Sequence, residues 1–186
     1  MSIFYKPLSA NNWTDIESLF GEKGACGGCW CMWWRLRYRD YEKSKGLRNK
    51  ELLKKLVNEN KPLGVIAYEN EKPIGWCSIS PRKDLVRLET SRIFQPLDTI
   101  PVWSITCLYV NKNYRIKGHS GQLVIDASEF AFNNGALCIE SYPILNKKNK
   151  IADTFAYVGL KTTFKKAGFK VIKQASETRC IMRKRV

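Results

Sequence analysis

The stretch CLYVNKNYRIKGHSG, residues 107–121, decides the fold of this 186-residue chain. It begins inside an apolar and β-branched run that predicts a strand over Trp103–Val110. A polar turn follows, and Gly118 to Phe132 repeats its apolar residues at helical spacing. Leu137–Tyr142 predicts the next strand. Strand, turn, helix and strand in this order predict a crossover between two parallel strands.

The rest of the chain adds strands and helices on both sides of this unit. Strands are predicted over Ser2–Leu8, Leu63–Glu69, Pro73–Ser80 and Val171–Met182, with weak strand character around Leu85–Leu88. Helices are predicted over Trp13–Phe20, Ser44–Asn60 and Leu160–Ala167, and Asn70-Glu71-Lys72 predicts a hairpin turn. Leu47 is expected on the apolar side of the second helix. With no internal repeat and no linker, the sequence predicts one α+β (mixed α/β) domain over residues 1–186.

Composition bounds the class of protein. At 44% hydrophobic and 26% charged residues, collagen-like, coiled-coil and disordered chains are excluded. No apolar run approaches the roughly 18 residues that cross a bilayer, and the first residues lack a secretory signal, so we expect a cytoplasmic protein. The net charge of +15 is spread along the chain. It favours anionic partners such as phosphates or nucleic acid, or it only keeps a lysine-rich surface soluble.

Seven cysteines without a signal peptide indicate reduced thiols. Cys26, Cys29 and Cys31 form a C-x2-C-x-C cluster, but a structural zinc site needs four ligands. No second cysteine pair follows at suitable spacing, and His119 is the only histidine. We therefore expect no metal, with the thiols packed among neighbouring tryptophans; zinc binding is the alternative.

The turn before the second helix has the chemistry of a phosphate site. Helix N-termini present unpaired N–H groups, Gly118, Ser120 and Gly121 permit close approach, and Arg115 and Lys117 add charge. An ordinary strand-to-helix loop is the alternative. His119 sits inside this turn, where its imidazole either contacts phosphate or faces solvent.

These residues resemble motif A of the GNAT superfamily of acyl-CoA-dependent N-acetyltransferases. Leu108-Tyr109-Val110 matches the end of the motif's strand, and Arg115, Gly118 and Ser120 match its anchor positions, with Ser120 replacing the usual Gly or Ala. Downstream, the stretch 164–169 (FKKAGF) is similar to the family's Y-x-x-x-G-F signature, with Phe164 replacing Tyr.

The resemblance implies a central mixed sheet of about six or seven strands, flanked by helices, in which two parallel strands splay apart. It implies acetyl-CoA as cosubstrate and direct transfer to a primary amine in a ternary complex. A backbone N–H near Tyr109 or Val110 would polarise the thioester oxygen. The implied cofactor-binding residues are Leu108, Tyr109, Val110, Arg115, Ile116, Lys117, Gly118, His119, Ser120 and Gly121.

The acid and base are less clear from the resemblance. Some members carry a general-base Glu at the position of Ser104, and Glu140 on the neighbouring strand is the nearest carboxylate in its place. An ordinary ion pair is the alternative for Glu140. The family's usual acid is lost at Phe164, so Tyr157 and Tyr142 are the candidate acids, each with a packing role as its alternative.

In members of the family, the region between the first two helices commonly borders the acceptor site. Trp33, Trp34 and Arg35 are there, and aromatic rings with guanidinium groups suit a flat, aromatic or acidic acceptor. The alternative is a helix that buries its Trp side and exposes its Arg side. The segment is similar to that of a little-characterised GNAT subgroup.

A non-catalytic acyl-CoA sensor and a basic nucleic-acid-binding protein remain the competing functions, and a homodimer is left open.

Overall fold

The structure, a computed structural model, describes residues 3–115, 118–145 and 157–186. Its strands form one seven-stranded sheet in the order β1-β2-β3-β4-β5-β7-β6. The strands are β1 (Ile3–Pro7), β2 (Gly64–Glu69), β3 (Lys72–Pro81), β4 (Trp103–Val110), β5 (Cys138–Ser141), β6 (Lys170–Gln174) and β7 (Cys180–Arg185). All neighbours are antiparallel except β4 and β5, which are parallel. The predicted mixed α+β fold with one parallel pair is confirmed.

Helices flank the sheet, and short 3-10 turns connect them. The helices are α1 (Trp13–Phe20), α2 (Tyr38–Ser44), α3 (Leu47–Asn58), α4 (Val86–Glu89), α5 (His119–Asn133) and α6 (Lys161–Lys166). Two predicted elements are wrong. The predicted weak strand around Leu85–Leu88 is wrong because Val86–Leu88 belongs to helix α4, and the predicted closing strand is a hairpin of β6 and β7. Leu47 is 77% exposed, because it is the first residue of α3 and lies off its packed face.

The parallel pair β4–β5 separates soon after it forms. Trp103 pairs with Ile139, Ser104 with Glu140 and Ile105 with Ser141. β5 ends there, while β4 continues to Val110. Within the described ranges, the last five residues of β4 therefore have no partner on the β5 side. The predicted splay is present, and it starts at Ile105.

A bulge in β4 coincides with this separation. Ser78 of β3 pairs with Cys107 and the next residue, Ile79, pairs with Ile105, so Thr106 is an extra residue in β4. Such an insertion shifts the alternation of side chains by one. Ile105 and Leu108 accordingly pack on the same face of the sheet, and Cys107 faces the other.

Each face of the sheet has its own core. One core packs α5 and α6 against the sheet through Val124, Ala127 and Phe164. The other packs α1 and α3 around the fully buried Trp76. The crossover helix α5 thus covers one face, and the segment between α1 and α2 lies on the other.

That segment, residues 21–36, forms a series of turns that we name the Cys/Trp loop. Trp30 and Cys31 adopt positive φ angles of 45° and 56°, and Gly28 has a φ of 73°. The backbone carbonyl of Gly28 accepts hydrogen bonds from the Gly46 N–H and the Asn49 amide, each at 3.0 Å. The loop is therefore fastened to the start of α3, and the predicted alternative of a helix at Trp33–Arg35 is wrong.

Two neighbouring glycines allow a matched test of this fastening. A Cβ atom on Gly28 would lie 2.4 Å from the Gly46 backbone nitrogen, whereas one on Gly27, which has a φ of 55°, meets nothing within 4 Å. Both substitutions place alanine in the left-handed region, which costs about 1 kcal/mol. We expect Gly28→Ala to lower the unfolding free energy in urea by about 3 kcal/mol and Gly27→Ala by only about 1 kcal/mol. Equal losses would contradict the close approach of loop and helix.

Candidate active site

The turn between β4 and α5 has an open, glycine-lined approach. Gly118 takes a left-handed conformation, with a φ of 81°, directly before α5 and supplies no side-chain cap. The space around the Cα atoms of Gly118 and Gly121 is empty to 4 Å in the direction of a Cβ atom. Arg115 donates from Nε to the Val110 carbonyl at 3.0 Å. The predicted residues Ile116 and Lys117 lie outside the described residues.

His119 is less exposed than a solvent-facing imidazole. It is half-buried, and among the described residues its Nε2 atom is buried without a hydrogen-bond partner. It borders, with Gly118, Gln122 and Asp126, an open cavity of about 620 Å³ that also contacts β1. Ser120 and Gly121 follow it in the first turn of α5, where the Gly121 N–H donates to the Gly118 carbonyl at 3.0 Å.

The three strand-end residues lie beyond the point where β4 leaves β5. Leu108 is buried toward α5, and Tyr109 packs on the opposite face with its ring 5.7 Å from Phe20. Val110 is half-buried and accepts the hydrogen bond from Arg115. The structure therefore brings Leu108, Tyr109 and Val110 to one strand edge beside the turn that begins α5.

Glu140 is buried in a network of charges on the other side of the splay. Its Oε1 accepts from Arg183 Nε at 2.9 Å and lies 2.8 Å from Arg183 Nη2. Its Oε2 lies 3.5 Å from Arg82 Nη1. Arg183 also pairs with Asp98, which raises the pKa of Arg183 and lowers that of Asp98. Protonating Glu140 would leave two guanidinium groups short of counter-charge.

Tyr142 and Ser104 complete this network. The Tyr142 hydroxyl donates to Glu140 Oε2 at 2.6 Å, accepts from Arg82 Nη1 at 2.9 Å and lies 2.9 Å from Ser104 Oγ. Burial raises the pKa of Tyr142, and the Glu140 charge raises it further. Ser104 pairs with Glu140 in the β4–β5 register, so the two side chains lie side by side on neighbouring strands.

Tyr157 lies in a second group, apart from that network. Burial raises its pKa, while the nearby Arg179 and Arg87 lower it and the thiols of Cys107 and Cys29 raise it. Tyr157 and Tyr142 nevertheless border one apolar cluster.

The predicted acceptor residues lie together but differ in exposure. Trp34 is buried against Phe94, with ring centroids 6.2 Å apart, and Arg35 is buried with Nη2 2.5 Å from Ser80 Oγ. Trp33 is half-buried and packs edge-on against Tyr41 at 5.0 Å. The expectation that the arginine side faces solvent is wrong for Arg35.

The thiols of the Cys/Trp loop lie at different depths. Cys26 is exposed, Cys29 is half-buried and Cys31 is buried. Cys31 Sγ accepts from Trp76 Nε1 at 3.1 Å. A hydrogen bond from Cys107 lowers the pKa of Cys31 most, and Trp76 and Arg35 add to this against the effect of burial. Across the described ranges, no three His, Cys, Asp or Glu side chains are grouped to hold a metal.

Sequence reasoning missed the arginines that surround these residues. Arg82 and Arg183 are 58 and 43 residues from Glu140 along the chain, and neither carries a local motif. The only signal was the net positive charge, which does not name positions. Among helices in the described part of the chain, none is long and apolar enough to cross a membrane.

Comparison with solved structures identifies the class of fold. PaiA N-acetyltransferase from Thermoplasma acidophilum, solved in complex with coenzyme A, matches with a TM-score of 0.54 at 19% identity, over 100% of both chains. Arabidopsis thaliana NAA60, in complex with acetyl-CoA, matches with 0.51 at 13%, over 100% of both. An N-acetyltransferase from Staphylococcus aureus Mu50 matches with 0.55 at 10%, over 100% of this chain and 99% of the other. The chain has the fold of an N-acetyltransferase.

The family follows from the sequence itself. The model of the acetyltransferase (GNAT) family matches residues 30–152, about two thirds of the chain, so the chain belongs to that family. The predicted family and class of enzyme are confirmed. A search of the curated proteins finds no match.

Arg82 forms ion pairs with two glutamates, and this allows a test of the buried network. Glu140 is buried, and Glu89, whose Oε1 lies 2.9 Å from Arg82 Nε, is 46% exposed. Removing one partner of a buried ion pair strands the other charge, so we expect Glu140→Gln to lower the unfolding free energy by about 3 kcal/mol. Glu89→Gln should change it by less than about 1 kcal/mol, because solvent screens that pair. Chemical denaturation at neutral pH measures both, and similar values would contradict the network.

Proposed function

We propose that the protein transfers the acetyl group of acetyl-CoA to a primary amine by direct transfer within a ternary complex. The observation that carries the proposal is the separation of β4 from β5 after Ile105, next to the start of α5. Acetyl-CoA is the cosubstrate of the family to which the chain belongs. The acceptor amine and the order of steps are part of the proposal.

The free edge of β4 suits the pantetheine arm. Its amide groups can pair with a strand edge as an added strand would, since β4 offers residues 106–110 without β5 partners in the described ranges. The thioester would then lie in the gap between the strands. A backbone N–H near Tyr109 or Val110 would stabilise the oxyanion that forms there.

The start of α5 suits the pyrophosphate. Backbone N–H groups and the positive end of the helix dipole favour an anion at Gly118 to Gly121. Arg115, exposed beside them, adds a guanidinium group. Empty space at Gly118 and Gly121 lets phosphate oxygens approach the backbone. Ile116 and Lys117 stay predictions as binding residues.

Proton handling is proposed for two groups of residues. Tyr157, which packs against the apolar cluster that contains Tyr142, is the proposed acid for the departing CoA thiolate. Glu140 with Tyr142 is the proposed base, and its paired arginines favour a positioning role as the alternative. The Glu140→Gln variant distinguishes these roles, because loss of a base changes the pH profile of turnover and loss of a positioning group does not.

Direct calorimetry separates the enzyme from the competing functions. Acetyl-CoA and desulfo-CoA should both bind, and RNA should not compete with them. Binding of RNA alone would favour the basic nucleic-acid-binding protein, and CoA binding without turnover on any amine would favour the sensor. A cytoplasmic location, one domain over residues 1–186 and a homodimer stay predictions.

Arg115→Glu tests the phosphate assignment. A charge-assisted hydrogen bond to phosphate contributes about 1.5–3 kcal/mol, so calorimetry should show acetyl-CoA affinity reduced by at least about tenfold. Lys112→Glu is the control, since Lys112 is exposed in the same turn and makes the same change of charge. Equal losses in the two variants would point to general charge rather than to a site at Arg115.

Direct transfer predicts that the enzyme itself is never acetylated. Initial rates at varied acetyl-CoA and amine should give intersecting rather than parallel double-reciprocal lines. The intact mass after incubation with acetyl-CoA alone should be unchanged. An acetyl adduct on Cys31 or Cys107, the thiols next to the gap, would replace direct transfer with a covalent intermediate.

A further inference from the structure

Arginines on the acceptor side of the sheet fall into two sets. Arg82 and Arg183 are neutralised by Glu140, Glu89 and Asp98. Arg35, Arg87 and Arg179 have no carboxylate within 4 Å among the residues that the structure describes. Since all three are buried or half-buried, their charge is only partly solvated. Burial accordingly lowers the pKa of Arg35 and of Arg179.

Arg87 is oriented by the aromatic side chains beneath it. Its guanidinium carbon lies 3.7 Å from the ring centroid of Trp33 and 5.5 Å from that of Tyr38. A guanidinium stacked on a ring keeps its N–H groups directed outward in its own plane, where they can bind a planar anion in bidentate fashion. Within the described ranges, Nη1 of Arg87 is buried and has no hydrogen-bond partner.

Arg179 and Arg87 lie on rings of one apolar cluster, since Phe94 belongs to it and Trp33 packs against it. The guanidinium carbon of Arg179 is 5.4 Å from the ring centroid of Phe94, and both arginines act electrostatically on the Tyr157 phenol. Cys107, in the separated part of β4, acts on the same phenol. Trp33 also borders the apolar cluster that Cys107 and Tyr109 of the separated part of β4 border, so Arg87 lies on the side of the sheet that these two residues face.

Further donors without acceptors lie next to Arg87. Among the described residues, Nε1 of Trp34 and Nε of Arg35 are buried without partners. The Arg87 backbone N–H donates to the Trp34 carbonyl at 3.1 Å, which joins this segment to α4. A buried donor without an acceptor is costly, so the unpartnered Nη1 of Arg87 indicates an acceptor supplied from outside.

We propose that the acceptor is an amine that carries a carboxylate, and that Arg87 and Arg179 bind this carboxylate beside Trp33 while its amine reaches the thioester. The proposal rests on the acetyltransferase function proposed above and specifies its acceptor. Amino acids and the acidic ends of short peptides have this chemistry. Arg35 adds positive charge behind the site but is held by Ser80.

Pairs of acceptors that differ only in the carboxylate test the proposal. L-phenylalanine and its amide are one pair, and a dipeptide and its C-terminal amide are another. CoA thiol release should give a kcat/KM about 10- to 100-fold higher for each acid than for its amide. The amine of the amide is the less basic of the two, so more of it is deprotonated at a given pH. A difference in the amount of free amine would therefore favour the amide and cannot produce a preference for the acid.

Variants assign the preference to the arginines. Arg87→Gln and Arg179→Gln should lower the ratio of kcat/KM for each acid to that for its amide about tenfold or more, and leave acetyl-CoA affinity unchanged. Arg92→Gln is the control, because Arg92 is exposed. Asp153→Asn is a second control, since Asp153 is the only carboxylate in the undescribed residues 146–156. Weaker acetyl-CoA binding in Arg87→Gln and Arg179→Gln would assign the arginines to the cosubstrate and overturn the proposal.

A binding measurement keeps the test independent of turnover. N-acetyl-L-phenylalanine and its amide, titrated into the protein–CoA complex, should differ about tenfold in affinity, and Arg87→Gln should remove the difference. The proposal would be overturned if N-acetyl-L-phenylalanine and its amide bound equally well. It would also be overturned by a preference for phosphoethanolamine over amino acids, or by a carboxylate preference that appears only in Asp153→Asn. Failure of acetyl-CoA itself to bind would instead refute the acetyltransferase function.

Discussion

The carboxylate of Glu140 holds β4 and β5 together where they are still paired, directly before they separate. A parallel pair joined by only three register positions has few ladder hydrogen bonds to resist further opening. Glu140 compensates because its oxygens contact Arg183 from β7 and Arg82 from the end of β3, on opposite sides of the β4–β5 pair. Tyr142 and Ser104 extend the same contacts to β4. The strands can thus remain apart after Ile105 because these ion pairs and hydrogen bonds hold their paired ends together.

Apart from Arg35, the buried and half-buried arginines fall into two groups, one paired with carboxylates and one stacked on aromatic rings. Arginines that face Glu140, Glu89 and Asp98 are neutralised and contribute to the fold. Arg87 and Arg179 are held by aromatic rings instead, which fix their orientation without cancelling their charge. The same residue type therefore has a structural role where a carboxylate is near and remains available for an anion where only rings are near.

Local signals in the sequence predicted the elements that local chemistry determines. The strand over Trp103–Val110 and the helix after Gly118 were predicted because alternation, a polar turn and a glycine all occur within one stretch. The hairpin at Asn70 and Glu71 was predicted in the same way, and both residues have the positive φ angles that a tight turn needs.

Features that depend on distant residues could not be predicted. The sequence predicted a single strand over Val171–Met182 because no glycine or proline marks a turn at Ala175–Glu177. The turn forms there through the pairing of β6 with β7. The Cys/Trp loop has the apolar content of a helix but is bent by its glycines and by hydrogen bonds to α3. Glu140 was named as a candidate, yet the arginines that surround it are distant in sequence.

The extra residue Thr106 also limits how the chain can change in length. A β4 strand that kept Thr106 but lost the bulge would alternate regularly, which would turn Leu108 and Val110 toward the Cys/Trp loop and Cys107 and Tyr109 into the α5 core. Deletion of Thr106 itself would remove the bulge and leave both faces as they are. Insertions in the irregular stretch 91–101 would leave both faces of β4 unchanged. Divergent copies of this gene should therefore vary in length mainly before β4, and a β4 that is one residue shorter should lack the bulge.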